Sequence, residues 1–194
     1  MLTGPAIRKA VADGDISIDP YNWSFAGPNS YDVRLHQDIL VYDLASSAGE
    51  FAIDEQGLPY ERARVLDVRS ENRVEKFEII PEGAVLVPDT LYLARTIERI
   101  HSDVYSATIH GRSSVGRLGI TVHQTAAFID VGFSGIVTLE ITVVHPVRVY
   151  AGMRIGQIAF HPLVGEIQLY QGKYQGAQDV EASKLFKDDD GKAE

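Results

Sequence analysis

The chain has 194 residues, 45% hydrophobic and 23% charged, which suits one globular domain with a sizeable core. A formal net charge of -9 argues against an extended basic surface and so against nucleic acid as a partner. Cysteine is absent, which excludes disulfides and thiolate zinc sites.

In chain order, residues 3–14 predict a short helix, with Thr3 as a cap, Pro5 in the first turn and Gly14 as the stop. The same N-terminal stretch lacks the apolar core of a signal peptide. No apolar run reaches the roughly 18 residues of a membrane span, so a cytoplasmic location without membrane contact is expected. The pattern then turns to strand. "YDVRLHQDILVYD" alternates and is rich in β-branched and aromatic residues. "GAVLVPDTLYLARTIERI" continues it, with Pro88 as a break. Residues 45–77 are polar and weakly patterned, and read as an insertion carrying short hairpins. "VYSATIH", "GIVTLEITVV" and "VRVYAGMRIGQIAFHPL" complete an all-β sandwich or barrel. One domain over 1–185 and a flexible, solvated acidic tail over 186–194 are expected.

"HGRSSVGRLG", His110–Gly119, concentrates anion-binding chemistry in an acidic chain. Ser113 or Ser114 can cap a one- or two-turn helix, and Arg112 and Arg117 flank it, which suits a phosphate. Gly111 and Gly116 have P-loop spacing, but Arg117 and Leu118 follow in place of Lys and Ser/Thr, so a P-loop nucleotidase is rejected. A structural turn with solvated arginines is the alternative.

In "VTLEITVV", Val137, Leu139, Ile141 and Val143 fall on one face of a strand and Thr138, Glu140 and Thr142 on the other. Glu140 therefore either meets water or lines a pocket. Asp130 either works in a site or serves only the turn that follows it. His36, His101, His110, His123, His145 and His161 lack metal-ligand spacing, and neither a zinc deaminase signature nor Gly-x-Ser-x-Gly is present.

Five motifs in order resemble one superfamily, the trimeric dCTP deaminases and dUTPases: "PNSYDVRL", "GRSSVGRLG", "TAAFIDVGFSG", "GMRIGQIAF" and "YQGKYQGAQ". The resemblance spans about residues 20–185. It implies a distorted jelly-roll (β-clip) of the dUTPase type with a short N-terminal helix, assembled as a homotrimer whose active site is shared between subunits. The anion becomes the triphosphate of a deoxynucleotide, with Mg²⁺ held mainly through phosphates and water rather than by a protein cage.

The resemblance assigns catalysis to Glu140, Ser113, Arg117 and Asp130. Leu139-Glu140 matches the deaminases rather than pure dUTPases. A pocket carboxylate can take a proton from water and pass protons to N3 and the leaving ammonia without zinc. Ser113 and the carbonyl of Ala126 help hold that water, Arg117 orients Glu140, and Asp130 contacts the 3′-hydroxyl. Arg112, Ser114, Thr125, Ala126, Phe128, Ile129, Gln157, Tyr170, Lys173 and Gln178 are the substrate-binding positions. Of these, Tyr170 and Lys173 reach the phosphates, and Gln178 stands next to Ala177, where many relatives have glutamine.

"TAAFID" resembles the "TAGFID" of dual-activity members, with Ala127 in place of glycine. The expected reaction is therefore hydrolysis of a cyclic amidine C–N bond in dCTP, continuing to dUMP and diphosphate. A deaminase releasing dUTP, a dUTPase alone, and a non-enzymatic nucleotide-sensing trimer are the alternatives. dTTP is a possible feedback inhibitor by the same resemblance.

Overall fold

The computed structural model describes residues 1–46, 49–53, 55–56 and 58–188. Helix α1 (Gly4–Asp13) starts where Thr3 Oγ1 accepts from the Ala6 amide and stops at Gly14, as its end residues predict. Its apolar face presses Ile7 and Ala10 into the core.

The strands are β1 (Ser17–Asp19), β2 (Tyr31–Tyr42), β3 (Gly49–Ile53), β4 (Pro59–Arg64), β5 (Val74–Glu78), β6 (Ala84–Leu86), β7 (Tyr92–His101) and β8 (Tyr105–Gly111). A single-turn helix, α2 (Ser113–Gly116), comes next. Then follow β9 (Ile120–Thr121), β10 (Phe128–Ile129), β11 (Ser134–Val143), β12 (Val147–Val149) and β13 (Arg154–Pro162). Nine of them form one curled sheet with the path β10-β8-β13-β2-β7-β11-β9, with β1 on β7 and β5 on β2. β12 pairs with β6 and β3 with β4. Pro88 lies between β6 and β7, as expected of a residue without an amide hydrogen.

The 12-residue strand β2 joins the two halves of the sheet. Its first part pairs with β13, its second with β5 and β7. The curl buries Tyr31, Leu35, Ile39, Ile100, Leu139, Ile141, Ile155, Ile158 and Phe160 in one core. Burial pushes the Tyr31 phenol up to about 12, although the Asn22 amide donates to its oxygen.

Two bulges shape β7. Against β11 the register jumps between Ile136 and Thr138, and against β2 between Leu35 and Ile39. A bulge breaks the ladder and leaves backbone groups to be satisfied otherwise. Here fully buried Thr96 does it: its Oγ1 accepts from the Val137 amide at 3.1 Å and donates to the Glu98 carbonyl at 2.7 Å. The Glu98 carboxylate, also fully buried, accepts from the Arg34 amide and from Arg34 Nε at 2.8 and 2.7 Å.

Three local expectations are corrected. Among the described residues the 45–77 segment holds one hairpin, β3–β4, whereas β5 leaves it to pair with β2, where Phe77 packs against the main core and Val74 against the Leu40–Leu93 patch on the other face. The N-cap of α2 is Arg112, with no side-chain cap, because β8 runs on to Gly111 and carries Ser113 and Ser114 into the turn. The tail does not lose structure at residue 186: Leu185–Lys187 form a 3-10 turn and Asp188 pairs with Lys173. Residues 189–194 lie outside the described residues.

Replacing Thr96 with the isosteric valine leaves the Val137 amide buried without a partner. Urea unfolding of Thr96→Val is expected to show a loss of about 1–3 kcal/mol.

Candidate active site

β11 alternates as its sequence predicts. Val137, Leu139, Ile141 and Val143 are buried, and Thr138, Glu140 and Thr142 face the other way, only partly covered. Cross-strand partners share a face, so Glu140 stands beside Leu93 of β7, which itself pairs with Leu40 of β2. This outer face forms the floor of a cleft of about 450 Å³. One wall is the 126–130 segment, with Ala126, Phe128, Ile129 and Asp130. The other is a C-terminal strap, which contributes Tyr170, Tyr174, Ala177, Glu181, Ala182 and Ser183.

The cleft fixes its glutamate from the backbone. The Gln124 amide donates to Glu140 Oε2 at 2.8 Å, and Gln124 Nε2 donates to the Glu140 carbonyl at 3.3 Å. A carboxylate held on one oxygen keeps the other free to exchange a proton. Asp130 is exposed at the rim, where its carbonyl accepts from the Phe133 amide and so opens the turn into β11.

Other expected residues gather elsewhere. Arg112 Nε lies 3.2 Å from Asp32, whose second oxygen is 3.0 Å from Arg154 Nη1. Gln157 Oε1 accepts from Ser30 and its Nε2 donates to the Gly111 carbonyl. These groups adjoin α2, whose Ser113, Ser114 and Arg117 are exposed. None of the α2 residues lines the cleft beside Glu140, and no Arg117–Glu140 ion pair forms within the chain among the described residues. Thr125 is exposed beside the cleft wall. The predicted set thus divides: Glu140, Asp130, Ala126, Phe128, Ile129 and Tyr170 share the cleft, while Arg112, Ser113, Ser114, Arg117 and Gln157 do not.

The strap packs on its own chain. The Tyr170 amide donates to the Val131 carbonyl at 2.8 Å, that of Gly176 to Ser134 at 2.9 Å, and Ala177 accepts from the Ile136 amide at 3.1 Å. Two glycines permit this approach. A Cβ on Gly132, whose φ is +86, would stand 2.8 Å from Leu169 Cβ, and one on Gly135 would stand 3.1 Å from the Ala177 nitrogen. Tyr170 meets Phe133 edge-on at 6.0 Å. Lys173 pairs with Asp188 rather than facing the cleft, and Gln178 donates to the Gly176 carbonyl.

Sequence reasoning missed Gln175. Its Oε1 accepts from the Ser134 amide at 2.8 Å and its Nε2 donates to the Gly132 carbonyl at 2.7 Å, riveting the strap to the turn before β11. It lies inside the quoted fifth motif, so the motif marked the region but not the residue.

His36 supports the cleft floor from the side. Arg95 Nη2 lies 2.9 Å from its Nε2. Guanidinium only donates, so Nε2 accepts; Nδ1 lies 3.2 Å from the Asp38 amide nitrogen and 3.3 Å from the Asp38 carboxylate. Burial lowers the affinity of His36 for a second proton, Arg95 lowers it further, and Asp38 opposes both. Burial lowers that of His161 as well.

Residues 1–163 match the dCTP deaminase-like family. The chain is 45% identical over 189 residues to a protein of Leptospira biflexa named "dCTP deaminase, dUMP-forming", covering 97% of each. It is 41% identical over 189 residues to a protein of the same name from Clostridium acetobutylicum, covering 97% of this chain and 98% of that one. The crystal structure of 2′-deoxycytidine 5′-triphosphate deaminase from Agrobacterium tumefaciens superposes with a TM-score of 0.58 at 25% identity. That match covers 82% of this chain and 45% of that one. The fold is the mostly β, curled-sheet fold of that deaminase, with a cleft of about 450 Å³ on one sheet face. Within that class, the chain belongs to the dCTP deaminase-like family.

His36 and His161 both favour the neutral ring in the folded state. Between an unfolded pKa of about 6.5 and the lower folded value, the unfolded chain binds more protons. Their stabilisation is complete above that window and falls as pH drops through it. Thermal unfolding should shift to lower temperature from about pH 7.5 to about pH 5.5, and less so in His36→Gln.

Proposed function

We propose that the chain deaminates dCTP hydrolytically and carries the product on to dUMP, with the overall balance dCTP plus two waters giving dUMP, diphosphate and ammonia. The observation that carries this reading is Glu140, oriented by the Gln124 amide in a cleft walled by the 126–130 segment. Relatives at 41–45% identity over nearly their whole length bear the name of that reaction.

Glu140 takes a proton from the attacking water and delivers it to N3, then takes the proton of the new C4 hydroxyl and passes it to the amine, so that ammonia leaves as the C4 carbonyl forms. The Ala126 carbonyl and Ser113 hold the water. Arg117 orients Glu140 and stabilises its charged form. α2 does not line the cleft of its own chain, which supports a homotrimer in which Ser113, Ser114, Arg112, Arg117 and Gln157 serve a neighbour's cleft. Asp130 receives the 3′-hydroxyl and positions the second water toward the α-phosphorus. Phe128, 80% exposed in the single chain, packs with Ile129 and Thr125 against base and sugar when substrate is bound. Tyr170 reaches over the phosphates. Lys173 must exchange Asp188 for them, and Gln178 must leave the Gly176 carbonyl to do the same.

Among the described residues no group of three His, Asp or Glu is placed to hold a metal. By the family resemblance Mg²⁺ would arrive on the triphosphate and water, where it would supply charge compensation on the phosphates. Among the described residues no helix is long and apolar enough to cross a membrane.

Purified protein given dCTP with Mg²⁺ should release ammonia and diphosphate in equal amounts. Ammonia without diphosphate means a deaminase that stops at dUTP, diphosphate from dUTP alone means a dUTPase, and binding without either product means a sensor. Glu140→Gln should keep dCTP binding and lose deamination on the order of 10²–10⁴-fold, measured as single-turnover ammonia release. Undiminished turnover contradicts the role of Glu140.

A further inference from the structure

The strap is held in two ways. Up to Ala177 it is bonded through its backbone and Gln175. Beyond that it rests on Val180, which packs with Leu40 and Leu93, on the Ser183 amide donating to Tyr42, and on one carboxylate. Asp179 Oδ2 lies 3.1 Å from Lys76 Nζ, and its Oδ1 lies 3.0 Å from Arg95 Nε.

The receiving cations are built into the sheet. Asp38, nearly buried on β2, lies 3.1 Å from Lys76 Nζ and 3.4 Å from Arg95 Nη2, and neutral His36 holds the same Arg95 nitrogen from behind. Two cations therefore face one fixed anion. The sheet presents an uncompensated positive charge beside an apolar patch, and Asp179 neutralises it. Arg95 Nε is buried and makes no aligned hydrogen bond, so its 3.0 Å contact with Asp179 Oδ1 is an ion pair, and lifting the strap leaves the Arg95 guanidinium to share Asp38 with Lys76. The position matters because Ala177 and Glu181, on either side of the latch, both line the cleft.

We propose that Asp179 is a positioning residue: by bridging Lys76 of β5 and Arg95 of β7 it latches the strap beyond Ala177, and so sets where Glu181, Ala182 and Ser183, and Tyr174 through the Lys184 amide that donates to its hydroxyl, stand over the cleft. It touches no substrate itself. The proposal rests on reading the cleft as the dCTP site.

The test compares Asp179→Asn, Asp179→Glu and the parent protein. Hydrogen exchange without nucleotide reads the latch directly: amides of 174–183 should exchange faster in Asp179→Asn and return toward parent rates in Asp179→Glu. Steady-state deamination should show KM for dCTP raised about 3–10-fold with kcat within about twofold, and KM recovered in Asp179→Glu. Unchanged exchange in Asp179→Asn overturns the latch. Faster exchange with unchanged KM overturns its positioning role. A parent protein inactive on dCTP refutes the reading of the cleft instead, and the exchange result still decides the latch.

Discussion

Alternation along β11 is the constraint on which the rest depends. One residue sends Leu139 into the core with no exposed surface, and the next sends Glu140 to the opposite face. A slip of one residue would bury the carboxylate and expose the leucine, each at a cost of several kcal/mol. The bulge at Thr96 holds that register where β7 and β11 fall out of step, by giving the Val137 amide an acceptor. Backbone from the adjoining segment then finishes the site, through the Gln124 amide on Glu140. Glu140 is thus placed by the central sheet and by one backbone amide beside it.

The cleft has a rigid half and a docked half. The floor belongs to the central sheet, whereas the strap lies across it on a handful of hydrogen bonds and ion pairs. That division suits a site that must admit a charged nucleotide and then exclude water. The strap is ordered on its own chain through Asp188 and yet depends on polar contacts that can exchange partners, as Lys173 does with Asp188. Arg112 shows the same economy, being held ready by Asp32 and by the Arg154 carbonyl.

Much of this was legible in the sequence where local physics decides. The α1 boundaries follow from Thr3 and Gly14, and the inward and outward faces of β11 follow from strict alternation. What was not legible depends on partners distant in the chain. Nothing in "VEKFE" says that β5 leaves its neighbours for β2, since edge strands look half polar whatever they pair with. Two serines made a cap at 113 or 114 attractive, but the end of β8 sets the cap at Arg112. Asp179 finds Lys76 103 residues away, and neither residue stands in a motif. The five motifs located the site's parts, but only the folded chain separates those that line the cleft from those that sit beside α2.

That separation sets the most direct test. Glu140→Gln and Arg117→Ala proteins are each expected to be inactive alone. Co-assembled in equal amounts, they should recover about one quarter of parent deaminase activity, because one interface in four joins an intact Arg117 to an intact Glu140 on the neighbouring chain. Mixed assemblies no more active than the separate variants would contradict an active site completed across the subunit boundary.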